Sequence, residues 1–300
     1  MLVGVHLLVS LRHLDVVPVA HPDEPLLASA ASTVAEEGRL AAPFREGLAG
    51  SEDHLYAWLP VHPLLLAGWF RLVGVGLFET RVFSVLASAG VLVLTFLLGR
   101  RLAGGSVGLL AVVLVVATRI LWEGPVTPTG ITLLDVSRVG RYDPLVALFG
   151  LATVLAYMAG RDAPTPGRGW FVLTGVAAML SALSNAYGLA FLAGVVLVSV
   201  ADGTWRRAVP WLAVGAAGPA VAYLVHALQD PAGWQAQMEL AVRGDLRPWD
   251  LLGNLVAERH RYAPGLGAFG WRWLARPGFW AAMIAVPSAV VWLLSRARRG

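Results

Sequence analysis

The chain has 300 residues, 57% of them hydrophobic and only 14% charged, with a net charge of +4 and a mean hydropathy of +0.66. A soluble globule carries roughly a quarter of its residues as charge, so the composition excludes an ordinary water-soluble domain and indicates an integral membrane protein. Cysteine is absent, which excludes disulfides, thiolate metal sites and cysteine nucleophiles. Every basic residue is arginine, and the arginines are scattered around apolar runs rather than gathered on one face. No nucleic-acid partner is expected from that distribution.

Residues 1–11 are apolar and are followed at once by Arg12, His13 and Asp15. Without a basic start or a small-x-small cleavage site this is not a secretory signal. It reads as a first membrane helix that is short, or that begins upstream of Met1 in a truncated chain. A loop from about 20 to 80 comes next and opens with "HPDEPLLASAASTVAEEGRL". Helical spacing puts Leu26, Leu27, Ala30 and Val34 on one face, which predicts a helix resting at the membrane surface. Charge-free runs then occur at 82–99, 102–118, 144–160, 169–201, 208–229 and 277–295. A membrane helix takes about 20 apolar residues, and the run 169–201 is too long for one untilted crossing. Its middle, "SALSNAYGLA", predicts a break at Asn185 and Gly188 and hence two short helices.

Sidedness follows from the arginines. With a helix before residue 20 and a hairpin at 169–201, four clusters fall on one side. They are Arg100–Arg101, Arg161 with Arg168, Arg206–Arg207, and Arg296, Arg298 and Arg299. The positive-inside rule makes that side cytoplasmic. The expected architecture is an all-α polytopic membrane protein of about eight transmembrane helices, forming a single domain over 1–300. The first loop (about 20–80), the connection 123–143 and the last loop (about 230–276) share the outer face. Long loops of this kind are usually functional.

Four polar groups stand out on that face. Asp23 and Glu24 suit the start of a helix, where carboxylates cap and meet the positive end of the dipole. They equally suit a general base held at the membrane edge, where desolvation raises a carboxyl pKa. "SRVGRYDP" places Arg138, Arg141 and Asp143 at the mouth of the span that starts near 144. These residues are either snorkelling anchors or a phosphate site built on the planar guanidinium fork. "HLYAWLPVHP" supplies His54, Tyr56 and His62, and Asp53–His54 amounts to half a metal site at best. "NLVAERHRYAPG" in the last loop supplies Glu258, Arg259, His260, Arg261 and Tyr262, either as a solvated charged face or as part of a site. No P-loop, GxSxG or HExxH occurs, and "GVGLFE" lacks the third glycine of a nucleotide fingerprint.

The ordered set "HPDEP", "LPVHPLLLAGWFRLVGVGLFETRVFSVLASAGVLVLTFLLGRRLAG" and "RYDPLVALFGLATVLAYM" resembles the C-type membrane glycosyltransferases. The resemblance is to their family 39 group of protein O-mannosyltransferases and relatives of the lipid A aminoarabinose transferases. It covers most of residues 12–200 and, more loosely, the rest. It implies transfer of a sugar from a polyprenyl-phosphate donor to an acceptor on the outer face of the cell membrane. The first-loop acidic pair of the family corresponds to Asp23, the catalytic carboxylate, with Glu24 beside it. Arg141 and Asp143 match the Arg-x-Asp before the fourth span, and Glu258, Arg261 and Tyr262 match a late-loop pattern. Many members carry a lysine in the break where Asn185 stands here, and members are commonly longer. That departure bears on the lipid-phosphate contact.

The chemistry fits these residues. A lipid-linked sugar phosphate needs a membrane groove, cations for the leaving phosphate and a carboxylate for the acceptor proton. Direct displacement inverts the anomeric centre. The reading assigns Asp23 as base, Arg141 and Arg261 to the phosphate, and Glu24, Asp143, His62, Arg138, Tyr262 and Asn185 as supports or substrate contacts. It fixes no cofactor, leaves a divalent metal open, and names neither sugar nor acceptor. The alternative is a transport-type or non-catalytic membrane protein handling lipid-linked sugars.

Overall fold

The computed structural model describes residues 2–241, except 22, 57, 122–125, 128–129 and 165–166. Helix α1 (Leu2–Leu11) leads to α2 (Asp23–Glu37), a 3-10 turn (Pro43–Arg45) and α3 (Val61–Val73). Helices α4 (Leu77–Ala103) and α5 (Gly105–Leu121) follow, then strands β1 (Val126–Thr127) and β2 (Gly130–Ile131) and the short α6 (Leu133–Ser137). The remainder is α7 (Asp143–Asp162), α8 (Arg168–Ser184), a 3-10 turn (Ala186–Gly188), α9 (Leu189–Ala201), α10 (Trp205–Ala227) and α11 (Pro231–Ala241). The antiparallel β1–β2 pair is a small departure from the all-helical expectation.

Among the described residues three helices, α4, α7 and α10, are long and apolar enough to cross a membrane, with hydropathies of 2.3, 1.5 and 1.6. Shorter apolar helices, including α1, α5, α8 and α9, stand at the other runs picked out by sequence. Their outward faces carry exposed Leu109, Leu110, Leu197 and Val200, the surface a lipid-facing bundle presents. The expected span 277–295 lies outside the described residues.

Local sequence sets the boundaries. Helix α4 ends where Gly104 takes φ +97° and its N–H returns to the Arg100 carbonyl, a left-handed cap that glycine adopts at little cost. Helix α7 begins Asp143–Pro144, an acid at the positive dipole end and a proline where no N–H is needed. The predicted break is present: Asn185 is extended (φ −160°, ψ 145°), and its side-chain oxygen accepts from the Tyr187 N–H.

Helix α8 packs between α7 and α10. Gly175 meets the Leu212 carbonyl and Gly215 the Val172 carbonyl. With no side chain at these positions the backbones close to van der Waals distance, the usual basis of helix association in lipid.

The apolar face of helix α2 packs on α3, where Ala31, Val34, Leu66, Ala67 and Phe70 form one buried cluster. Arg71 of α3 donates to the Val34 and Ala35 carbonyls and so satisfies the end of α2. The rest of the first loop is tied to α10 and α11. Gln237 donates to the Ala49 and His54 carbonyls and accepts from the Tyr56 N–H, while His226 meets the Leu55 carbonyl at 3.2 Å. These bonds put the first loop and the start of the last loop at one end of the bundle. The arginines meet at the other end: Arg101 pairs with Asp162, and Arg207 donates to the Gly160 and Arg161 carbonyls.

Candidate functional site

Two arginine–carboxylate pairs stand side by side where α2, α4 and α7 begin. Glu24 is the inner one. Its oxygens accept from Arg81 Nε at 2.7 Å and Nη2 at 2.9 Å, from the Gly140 N–H at 2.8 Å and from the His21 N–H at 2.6 Å. Arg81 also donates to the Leu14 carbonyl at 2.7 Å. The Glu24 and Arg81 side chains are 1% and 0% exposed. Burial would raise the Glu24 carboxyl, but the hydrogen bonds from Arg81, Gly140 and His21 outweigh it and hold the group below the ordinary carboxylate value. Gly140 must be glycine for this approach, since a Cβ there would strike the Thr80 side chain.

Asp23 is the outer carboxylate. One oxygen lies 2.9 Å from Arg141 Nη1 and 3.5 Å from His21 Nδ1. Arg141 Nε donates to Asp143 at 2.8 Å, and the second Asp143 oxygen accepts from the Tyr187 hydroxyl at 2.7 Å. The side chains of Asp23, Arg141 and Asp143 are 36%, 21% and 29% exposed, so this chain of charges is open to a ligand while Glu24 is not. Burial works against the Arg141 charge, but the Asp143 carboxylate, with Asp23 behind it, holds the guanidinium more firmly protonated than usual. The Arg141 plane also lies 5.3 Å from the Tyr142 ring centre.

His62 stands at the start of α3, edge-on to Phe83 and Tyr142 at 5.9 and 6.4 Å. Both ring nitrogens are buried with no hydrogen-bond partner among the described residues. Burial pushes the imidazole down to about 4, against the pull of the Asp143 charge.

The other candidates are placed differently. Arg138 turns away from Arg141 and braces the link after α1, donating to the Arg12 and Val17 carbonyls at 2.8 Å each. Asn185 uses its side-chain oxygen on the turn it starts. Asp53 faces Arg39 at 3.4 Å, and His54 stacks on Tyr56. No cluster of three or more His, Asp or Glu suited to a metal occurs among the described residues. Glu258, Arg259, His260, Arg261 and Tyr262 lie outside the described residues.

Three participants escaped the sequence reading: Arg81, Gly140 and Tyr187. Arg81 carried a usable signal, because an ionisable residue inside an apolar helix implies a partner. Tyr187 sat within the quoted break, but nothing in the sequence pointed its hydroxyl at Asp143.

No protein-family model matches the chain, and no curated protein does. Among solved structures it is similar to ArnT from Cupriavidus metallidurans bound to undecaprenyl phosphate, at 19% identity and a TM-score of 0.59. Over the matched part the fold is similar to that of ArnT. The likeness covers 77% of this chain and 41% of ArnT, so the chain spans less than half the length of that neighbour. The C-type fold and the membrane setting expected from the sequence agree with it.

Proposed function

We propose that this protein is an inverting glycosyltransferase that moves a sugar from a polyprenyl-phosphate donor to an acceptor hydroxyl on the outer face of the cell membrane. The observation that carries the reading is the open pair in which the Asp23 carboxylate lies 2.9 Å from the Arg141 guanidinium. Support comes from the fold shared with ArnT, whose structure holds undecaprenyl phosphate. About eight membrane helices and the single-domain organisation over 1–300 belong to the same proposal.

In this reading Arg141 exchanges Asp23 for the donor phosphate. The guanidinium already presents a planar fork between two acidic residues, and the singly charged donor phosphodiester competes for it through the same bidentate geometry. The exchange leaves the Asp23 carboxylate facing the acceptor. The acceptor oxygen then forms its bond to the anomeric carbon as the bond from that carbon to the phosphate oxygen breaks. The hydroxyl proton passes to Asp23, and the electron pair of the broken bond stays on the polyprenyl phosphate. Arg141, joined by Arg261 on the strength of the family resemblance, stabilises that charge. Glu24 acts by position alone, fixing the first turn of α2 against Arg81. Asp143 and Tyr187 orient Arg141, and His62 backs Tyr142.

Asp23→Asn tests the assignment. With a radiolabelled polyprenyl-phosphate sugar, transfer should fall by roughly 10²–10⁴-fold, the usual worth of a positioned base, while the carrier is still retained. Undiminished transfer by the variant would remove Asp23 from the mechanism, and a protein that binds carrier but never transfers sugar would favour the transport-type alternative.

A further inference from the structure

A second feature lies at the opposite end of the bundle, where the arginines gather. A cavity of about 530 Å³ opens between α4, α7 and α8. Its walls are apolar, with Leu97, Leu155 and Leu173 among them, and Trp170, Arg100 and Arg101 also line it. Helices α4 and α7 are long and apolar enough to cross a membrane and α8 is a shorter apolar helix, so lipid is the natural neighbour of the cavity.

The two arginines differ. Arg101 is fixed: its Nη2 donates to Asp162 at 2.9 Å and to the Met158 carbonyl at 3.0 Å. Arg100 is exposed, and its guanidinium has no hydrogen-bond or ion-pair partner among the described residues. Asp162 offsets one charge, and Arg161 also reaches it at 2.8 Å. The mouth of an apolar slot therefore keeps a net positive charge, with one guanidinium uncommitted. Trp170, half exposed beside it, has the amphipathic ring that favours the headgroup level.

This combination is complementary to a lipid with an anionic headgroup. An acyl chain fills the apolar slot and a phosphodiester meets Arg100 and Arg101. A free phosphate has no use for the slot, and a zwitterionic lipid brings its own cation to the mouth. We propose that this cavity binds one anionic phospholipid from the leaflet on the arginine-rich side. The site is separate from the one around Asp23, and the inference rests on the membrane setting alone.

Native mass spectrometry of the full chain released from detergent tests it, titrating with phosphatidylglycerol or phosphatidylcholine. The wild type should retain one phosphatidylglycerol in preference to phosphatidylcholine, and excess inorganic phosphate should not displace it. Arg100→Ala, a surface change, should weaken phosphatidylglycerol about fivefold, the worth of one arginine near an anionic lipid, and leave phosphatidylcholine unchanged. Leu97→Trp, which fills the cavity from an exposed position, should weaken both lipids. Equal binding of the two lipids by the wild type, or full phosphatidylglycerol binding by Arg100→Ala, would overturn the proposal. So would the absence of any retained lipid, as when another segment of the chain occupies the cavity, or displacement by inorganic phosphate.

Discussion

Asp23 and Glu24 are consecutive, both carboxylates, and each faces an arginine, yet their surroundings are opposite. Glu24 is sealed under α4 and the 139–141 turn, accepts from three residues besides itself, and leaves no oxygen for a ligand. Asp23 sits one position nearer solvent, on an arginine that also serves Asp143. The difference separates two uses of the same ion pair. A sealed pair, completed by further hydrogen bonds, fixes one arrangement of the backbone, because removing either partner leaves a buried charge uncompensated. An open pair stabilises little but can exchange partners, which a phosphate-binding site requires.

Substitutions can break that comparison. The largest effect on turnover belongs to the open pair: Asp23→Asn should remove transfer while the thermal midpoint in detergent stays close to wild type. Arg81→Met should do the reverse, costing about 3–5 kcal/mol of stability, as expected when a buried pair loses one member. Its folded fraction should still transfer sugar, and denaturation together with activity per folded molecule separates the two effects. Equal stability losses in both variants would show that the pairs are not different in kind.

Smaller effects sharpen the picture. Tyr187→Phe removes the hydrogen bond to Asp143 and loosens Arg141 indirectly. A bond to a charged group is worth about 1.5–3 kcal/mol when buried, and this one is partly exposed, so a loss of severalfold in kcat/KM is expected with little change in thermal midpoint.

A separate effect is a slope in pH. His62 is held near 4 in the fold against 6.5 unperturbed. Between those values the unfolded chain takes up a proton that the folded chain refuses, so stability is full above about 6.5 and falls as pH drops toward 4. His62→Leu should flatten that slope in thermal midpoints measured across the window. Glu24, whose carboxyl lies below its ordinary value of 4.5, adds its own loss only at lower pH, as acid protonates it and weakens the Arg81 pair.

Much of the architecture was legible because lipid imposes simple rules. Apolar runs had to be helices, since backbone groups in a bilayer must be satisfied within the segment. The excess length of 169–201 required a break, and Asn185 and Gly188 supplied it. The family resemblance drew attention to Asp23, Arg141 and Asp143, and the structure brings those three together. Other readings needed contacts that no local pattern carries. The apolar stripe of α2 was visible in the sequence, but its packing partner, α3, was not. Arg138 and Arg141 are three positions apart and equally charged, but one braces the link after α1 and the other joins the acidic pair.

The sequence by itself determined that the chain belongs in a membrane, where its main apolar helices lie with the break at Asn185, and which end collects arginine. These depend on local hydropathy, on glycine and proline, and on charge counted along the chain. Only the tertiary structure decided which carboxylate is sealed and which is open. Glu24 meets Arg81 across 57 positions and Gly140 across 116. Burial at such distances is set by how α2, α4 and α7 pack, not by the residues on either side of Glu24.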